Sequence, residues 1–573
     1  MQNYFLKTKN CLERDWLDDI KNFYLNINPV YRHSFWILFI ITNIVFGFHT
    51  INFFWGNHDW NNLVNGTAWN KSFYEARYGA FIMSQLLTGN LYLPIVSALW
   101  AYFALSLSAV LLAIYWKVPQ KLSYFVIFGL ILNITPYTCA WVWFGHWTVN
   151  MFFARLFIFT GFILSDRVNK IKEKGFKIAT ILFAIFLLNF GLSIYTSMIG
   201  MFVMVLMGRV LVEMLEWKSL RNGIFNTIKN NRIAFINILT ATIIYEIIIQ
   251  YMKHIHIIQN HYNMEKTPLT EIPNKIIQCI KVAWQQFTDW SMPFYPDVLT
   301  KLFLVLAVIF VMQIIFSKKS NIIKIFIYTT FILSLFLTKT VALIAQNNVM
   351  QLVRVEFCGY VLFNALIVAL CLKLGGLLQN IKMLLCCMII YLFAINNVYM
   401  QRTWKFGFDS EILIYNRMQN RLESNSNFNS GKQYNVLQLG TTLPSRVNFY
   451  PDVSNAYKDQ DLITLPVAYP WTTWSVPAFY NSGYVKNKYW VSQFTNSNFM
   501  SALKRLYNAG LLENAKAWPA ENSIIVYEDI ILVITDEKDL QKAKNILQKE
   551  QALRDKIKAR AKPAAAETKT EAK

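Results

Sequence analysis

Residues 34–60 read SFWILFIITNIVFGFHTINFFWGNHDW. From Ser34 through Phe54 there is no Lys, Arg, Asp or Glu. An uncharged apolar run of this kind has the length, about 20 residues, with which a helix crosses the hydrocarbon core of a bilayer. Directly after it come Trp55, Gly56, Asn57, His58, Asp59 and Trp60, the mix of aromatic and polar groups found at a membrane boundary. A carboxylate at that point is either an ordinary interfacial residue or a group placed to do chemistry at the membrane surface.

The pattern of this stretch recurs along the chain. Of its 573 residues 55% are hydrophobic and only 15% charged, with 44 Phe, 29 Tyr and 18 Trp, well above the apolar share of a soluble domain. The apolar residues fall into eleven blocks, near 34–54, 93–116, 122–139, 149–164, 178–194, 197–212, 233–251, 299–316, 325–337, 357–372 and 383–396. The net charge of +22 would suit nucleic acid, but the basic residues sit in short connections between apolar blocks and no nucleic-acid-binding signature accompanies them. Nucleic acid is therefore not an expected partner. Residues 1–33 are mixed in charge and amphipathic, with no cleavage site, so the first block is expected to stay as an anchor.

Orientation follows from the basic residues. One set of connections holds Lys117 and Lys121, Arg167 to Lys177, Lys218 to Arg232, Lys318 to Lys324, and Lys373 with Lys382. The opposite set is longer yet carries only Lys71, Arg77, Lys253, Lys266, Lys275, Lys281, Lys339 and Arg354. The richer side should be cytoplasmic. With an odd number of crossings the N-terminus is then inside, and everything after about residue 397 is outside.

Three outer segments, 55–92, 252–298 and 338–356, are too long to be mere connections, and long loops in compact proteins are usually functional. Within the second, Ile276, Ile277, Ile280, Ala283, Trp284 and Phe287 form a helical stripe suited to a membrane surface. After 396 the composition changes. Residues 397–432 read as an amphipathic helix and linker, 433–540 as a soluble α/β module, and 541–573 as a charged, Ala/Lys/Glu-rich tail. In the module, residues 434–440 read as a strand ending in glycine, 500–512 as a helix, and 523–535 as a hairpin across Glu528 and Asp529. The seven cysteines lie mostly in or beside apolar blocks and form no disulfide framework.

No nucleotide-binding loop, metalloprotease motif or nucleophile elbow is present. His146, His254, His256 and His261 lack companion carboxylates at zinc-ligand spacing, so no metal and no cofactor is expected. Asp59 remains as a candidate general base at the outer boundary. Arg77, Arg354 and Lys339 are rare cations on that side, able to stabilise a phosphate as charge builds on it. The competing reading of such arginines is that they snorkel to lipid headgroups. Trp55, Trp60, Trp141, Trp143 and Trp147 cluster in two outer segments, where tryptophan either stacks on sugars or forms the interfacial belt.

The order of these features resembles the Gtr-type glucosyltransferases that decorate bacterial O-antigen, the type II glucosyl transferase family within the GT-C superfamily. The likeness rests on His58-Asp59-Trp60 and Ala76-Arg77-Tyr78, then on the stretch from Gly191 through Tyr195 to Ile199, with Thr196 where glutamine is usual. It continues in Asn396-Asn397, Gln401, Trp404, Glu411 and Asn416-Arg417, and covers roughly residues 34–423. Paired acidic residues are typical at the first motif; here only Asp59 is acidic. The resemblance implies an all-α polytopic membrane protein of GT-C type with about eleven transmembrane helices, to which this chain adds a small C-terminal soluble α/β domain. It implies a bacterial inner-membrane enzyme that moves a hexose, plausibly glucose, from a polyprenyl-phosphate-linked donor to a cell-surface glycan or its lipid-linked precursor. Asp59 would be the base of an inverting displacement. Arg77, Arg354 and Lys339 would hold the donor phosphate, and Trp60, Trp143, His146 and Tyr195 the sugar or acceptor. A lipid or glycolipid transporter and a membrane glycan polymerase are the rival readings. Eleven crossings without visible repeats, and a lack of paired charges inside the helices, count against the transporter.

Overall fold

A computed structural model describes residues 16–52, 75–142, 145–258, 267–288, 297–344, 355–440, 484–489 and 493–570, apart from residues 90, 92, 269, 356 and 377. In chain order the helices are α1 (Trp16–Asn26), α2 (Pro29–Ile51), α3 (Tyr78–Thr88), α4 (Pro94–Tyr115), α5 (Leu122–Asn133), α6 (Pro136–Val142) and α7 (Gly145–Arg167). They continue with α8 (Lys174–Ile194), α9 (Met198–Met214), α10 (Leu220–His254), α11 (Ile272–Thr288), α12 (Asp297–Ile315), α13 (Asn321–Leu337) and α14 (Thr340–Ile344). The last are α15 (Tyr360–Lys373), α16 (Gln379–Glu423), α17 (Ser497–Asn508) and α18 (Glu537–Thr570). Four strands lie toward the C-terminus: β1 (Tyr434–Leu439), β2 (Val485–Tyr489), β3 (Ile524–Tyr527) and β4 (Ile530–Ile534). The described residues form two units, one reaching Gln401 and one starting at Arg402.

Ten of the eleven apolar blocks lie on one helix each, and the block near 122–139 is split over two. Among the described residues seven helices are long and apolar enough to cross a membrane, and α5, α13 and α15 are apolar but shorter. The chain is a multi-pass membrane protein. Its first unit is organised around α7, which packs most extensively on α4 and α8. Small residues allow that approach: a Cβ on Gly191 of α8 would stand 3.0 Å from the Ala154 carbonyl oxygen and 2.7 Å from Ile158. Without a solvent-driven hydrophobic force between helices in lipid, close backbone packing of this kind is a main source of association. By contrast, α15 is buried on nearly every side, so its all-round apolar sequence is that of a central helix.

The block near 122–139 is two helices. Pro136 lacks an amide hydrogen and disfavours a helical conformation at Thr135, so α5 stops at Asn133 and α6 begins with the proline. The carbonyls freed at such a break must find partners inside the protein. Arg155 of α7, only 1% exposed, reaches one of them, the Leu132 carbonyl at 3.4 Å, and also donates to Asn133 Oδ1 at 2.8 Å and to the Leu105 carbonyl of α4 at 3.4 Å. Its guanidinium also lies over the rings of Phe159 and Phe357. A cation at the carboxyl end of a helix is favoured by the helix dipole.

Where α7 finishes, a charged network joins several helix ends. Arg209 of α9 bonds Glu213 and Asp166, each at 2.8 Å, and donates to the Tyr115 carbonyl. Glu213 also accepts from Asn231 of α10 and lies 3.6 Å from Lys117, while Glu216 takes Lys117 and Lys373. The expected lack of paired charges inside the helices is thereby corrected: Arg209 and Glu213 both lie within α9, where one turn of helix sets them together, and Asp166 lies within α7.

The amphipathic stripe near 273–290 forms α11, and most of its apolar side faces outward, with Ala283 and Phe287 turned inward. Lys275, Cys279 and Gln286 are buried, whereas Ile276, Ile277, Ile280 and Trp284 are exposed. The last apolar block and the amphipathic stretch after it are one helix, α16, because no capping glycine or proline separates them.

In the second unit the sheet order is β2-β1-β4-β3, with β1 parallel to both β2 and β4 and the β3–β4 hairpin antiparallel. Side chains alternate across it as a strand requires. One face carries Tyr434, Val436, Ile531 and Val533 against Trp518 and against Met418 and Leu422 of α16. The other carries Leu437, Leu439, Leu532 and Ile534 against Phe499, Leu503 and Leu506 of α17 and Leu540 and Leu547 of α18. Each such fully buried side chain contributes roughly 1.5–3 kcal/mol. The helix α17 starts three residues earlier than the apolar pattern implies, because Asn496 caps it by accepting from the amides of Asn498 and Phe499.

Candidate functional site

The described part of the site starts with a strained turn. Ala76 adopts φ +65°, a left-handed conformation that costs an alanine about 1–2 kcal/mol. The turn brings the Glu75 carboxylate to 2.9 Å from the Arg77 guanidinium, with both side chains mostly buried. Arg77 then caps the start of α3. Two residues on, Gly79 lets α3 lie directly on α8: a Cβ there would stand 2.2 Å from Ser193 Oγ and 3.0 Å from the Phe190 carbonyl.

That close approach sets Arg77 among aromatic faces. Its guanidinium lies 5.1 Å from the centre of the Tyr195 ring and 5.2 Å from that of Trp147. Tyr195 packs edge-on against Trp141, with centres 5.2 Å apart. A cation shielded between rings is held more strongly than one in water, and Arg77 is therefore built into protein. The neighbouring Tyr78 donates to Asn189 Oδ1 at 2.9 Å and stacks on Tyr245, whose hydroxyl is 3.0 Å from Thr196 Oγ1. Burial pushes the Tyr78 phenol up to about 12, so it remains a neutral donor at physiological pH.

Lys339, just after α13, is 1% exposed and donates to Gln286 Oε1 of α11. Gln286 in turn donates to the Tyr137 hydroxyl at 3.4 Å, and its carbonyl accepts from Tyr360 at 3.2 Å. Tyr137 and Trp141 both belong to α6, four residues apart, and such positions share one face of a helix. The short helix α6 thus touches the partners of Lys339 at Tyr137 and the wall of the Arg77 cage at Trp141.

Of the expected site residues the structure describes Arg77, Tyr195 and Lys339 in full. It brings Arg77 and Tyr195 into contact and joins Lys339 to the same wall through Gln286 and α6. His146 lies in the first turn of α7, its side chain outside the described residues, as are Asp59, Trp60, Trp143 and Arg354. Sequence reasoning missed the parts played by Glu75, Asn189, Tyr245, Gln286, Tyr137 and Tyr360. Glu75 and Tyr78 adjoin the Arg77 motif, which was a signal; the others come together only by folding. Among the described residues no three His, Cys, Asp or Glu side chains gather in a metal-holding group.

The site's constituents, a shielded guanidinium, a buried ammonium, tyrosine hydroxyls and aromatic faces, suit an anionic group bonded to a sugar. No curated protein and no solved structure matches the chain. The family model described as glucosyl transferase GtrII matches residues 47–363, more than half of the chain and every described residue of this site. The chain therefore belongs to the GtrII glucosyl transferase family and is a membrane glucosyltransferase, working between a sugar donor and an acceptor.

Proposed function

We propose that the enzyme transfers glucose from a polyprenyl monophosphate to a surface glycan such as O-antigen, on the outer face of a bacterial inner membrane. Asp59 takes the acceptor hydroxyl proton as that oxygen attacks the anomeric carbon. The bond from this carbon to the phosphate oxygen breaks, its electron pair leaves on the phosphate, and the sugar inverts. Arg77, with Lys339 and Arg354, neutralises the departing phosphate, while Trp60, Trp143, His146 and Tyr195 hold sugar or acceptor. Membrane lipids surround eleven crossings over residues 34–396, with the N-terminus cytoplasmic and the α/β module outside. The observation that carries this reading is the Arg77 cage: a guanidinium set between Trp147 and Tyr195 on a side of the chain poor in basic residues.

Transfer of labelled glucose from polyprenyl phosphate glucose in detergent tests it, with Arg77 as the discriminating residue. Arg77→Ala removes a charge-assisted contact worth about 1.5–3 kcal/mol, and donor affinity falls roughly ten- to a hundred-fold. Arg77→Lys does not rescue it, because an ammonium lacks the planar fork that grips two phosphate oxygens and stacks between rings. Free rescue by lysine, or unchanged donor affinity in Arg77→Ala, would remove Arg77 from the phosphate site.

Orientation has its own test. A cysteine replacing Asn455 reacts with a membrane-impermeant thiol reagent applied to cells whose outer membrane has been made permeable. Labelling that begins only after the inner membrane is opened would reverse the topology and, with it, the side on which transfer takes place.

A further inference from the structure

A pair of hydroxyls stands beside the Arg77 cage. Thr196, in the turn between α8 and α9, has its Oγ1 3.0 Å from the Tyr245 hydroxyl of α10. Chain connectivity and packing close a circuit between this pair and the guanidinium. Arg77 precedes Tyr78, whose ring stacks on Tyr245 with centres 6.2 Å apart. Tyr245 bonds Thr196, Thr196 follows Tyr195, and the Tyr195 ring backs the Arg77 guanidinium at 5.1 Å. The Arg77 charge accordingly acts on the Tyr245 hydroxyl. Two dipeptides, Arg77-Tyr78 and Tyr195-Thr196, thus set a cation and a hydroxyl pair side by side.

Exposure sorts these groups. Tyr245 is 7% exposed, and Asn189, which accepts from Tyr78, is 9% exposed. Arg77 keeps 16% of its side chain exposed, and Tyr78 and Thr196 are likewise half-buried. Arg77 and Thr196 are therefore open to a ligand, with Tyr245 as the buried partner of Thr196. Each hydroxyl offers one hydrogen and can accept twice. The bond between Thr196 and Tyr245 uses one of the pair's two hydrogens, and among the described residues neither oxygen has a second partner. One hydrogen and several acceptor positions remain. Tyr78 differs, because its hydrogen is committed to Asn189. In a sugar phosphate the charged group and the sugar ring are joined through a single anomeric oxygen. A protein that grips the charge therefore meets the sugar hydroxyls close by, and neutral donors and acceptors are what recognise them.

We infer that Thr196 is a specificity-determining residue for the glucosyl unit of the donor, its hydroxyl bonding one hydroxyl of the sugar, and that Tyr245 is the positioning residue that orients it. The inference rests on the reading of Arg77 as the donor-phosphate contact. Bonding of this kind discriminates, because a sugar lacking that hydroxyl leaves the protein's polar groups unpaired.

The experiment measures kcat/KM for transfer by the full-length enzyme in detergent, from polyprenyl phosphate glucose and from its 2-, 3-, 4- and 6-deoxy analogues. Each variant is compared with wild type donor by donor, which cancels the intrinsic reactivity of each deoxy sugar. Wild type favours glucose over one deoxy donor by roughly ten- to a hundred-fold. In Thr196→Val, nearly the same shape without the hydroxyl, that preference shrinks to within about threefold of none, while preferences at the other positions stay as in wild type. Thr196→Ser keeps the hydroxyl and keeps the preference. Tyr245→Phe weakens the same preference and no other, because its effect passes through Thr196. A merely structural pair lowers transfer from all donors in one proportion. That outcome, full discrimination in Thr196→Val, or equal use of all donors by wild type overturns the inference. If Thr196→Val does not fold, Tyr245→Phe decides by the same criterion. No transfer from polyprenyl phosphate glucose in wild type overturns the proposed donor and the inference with it. Free rescue in Arg77→Lys, with transfer intact, removes the phosphate contact alone, and the pattern across deoxy donors still decides Thr196.

Discussion

Asp59→Asn lowers turnover by roughly 100-fold or more, the usual scale for losing a general base, while thermal stability and donor-lipid binding barely change. Asparagine keeps the shape of the side chain and its ability to accept a hydrogen bond. It cannot take the proton that the acceptor hydroxyl must lose as its oxygen attacks. Under the proposed function the loss belongs to kcat, since the donor's phosphate would be held elsewhere, at the Arg77 cage. Single-turnover transfer from labelled polyprenyl phosphate glucose separates the chemical step from product release. A folded Asp59→Asn protein with near-normal turnover would remove Asp59 as base. Glu75 would not be its simple replacement, because its carboxylate already pairs with Arg77 at 2.9 Å; Asp289, a carboxylate in the segment 252–298 that lies outside the described residues, would then be tested first.

Arg209→Met destabilises the protein by about 3–5 kcal/mol, because it strands the Glu213 carboxylate, 4% exposed, without its main partner. Adding Glu213→Met recovers most of the loss, since replacing a whole buried ion pair by apolar groups of similar size is often neutral. Asp166 is the more exposed end of the network, at 29%, and Asp166→Asn costs much less. Denaturant titration in mixed micelles measures all three. A single-variant loss below about 1 kcal/mol would give Arg209 the weight of a surface pair and leave the network without a part in holding the helix ends together. This test does not touch the transfer reaction, so it bears on the fold alone.

Much of the fold was legible before any tertiary contact was known. A long apolar run can satisfy its backbone in lipid only as a helix, which is why the apolar blocks are helical, ten of them on one helix each and the block near 122–139 on two. The β3–β4 hairpin was legible for a similarly local reason, two β-branched runs around Glu528 and Asp529. The short helix α6 was not separated from α5, although Pro136 marks the break, because the block is apolar on both sides of the proline. The join within α16 was also hidden: polarity changes near residue 397 while the helical backbone continues.

The site divides along the same line. The sequence by itself determined the family likeness, the side on which cations are scarce, and the candidacy of Asp59, Arg77, Tyr195 and Lys339, because charge in an apolar chain is conspicuous wherever it falls. Only the tertiary structure decided what those residues meet. Arg77 reads equally well as a snorkelling arginine until Gly79 brings α3 onto α8 and sets it between Trp147 and Tyr195. Lys339 reads as a surface cation until Gln286, 53 positions away, takes it into the interior. Gln401 carries no charge and stands in a polar stretch, yet its side chain bonds the backbone of a helix 352 positions earlier in the chain. Periodicity and charge are local properties that one strand of text preserves. A hydrogen bond between distant helices depends on where packing places both ends, and that is fixed only when the bundle closes.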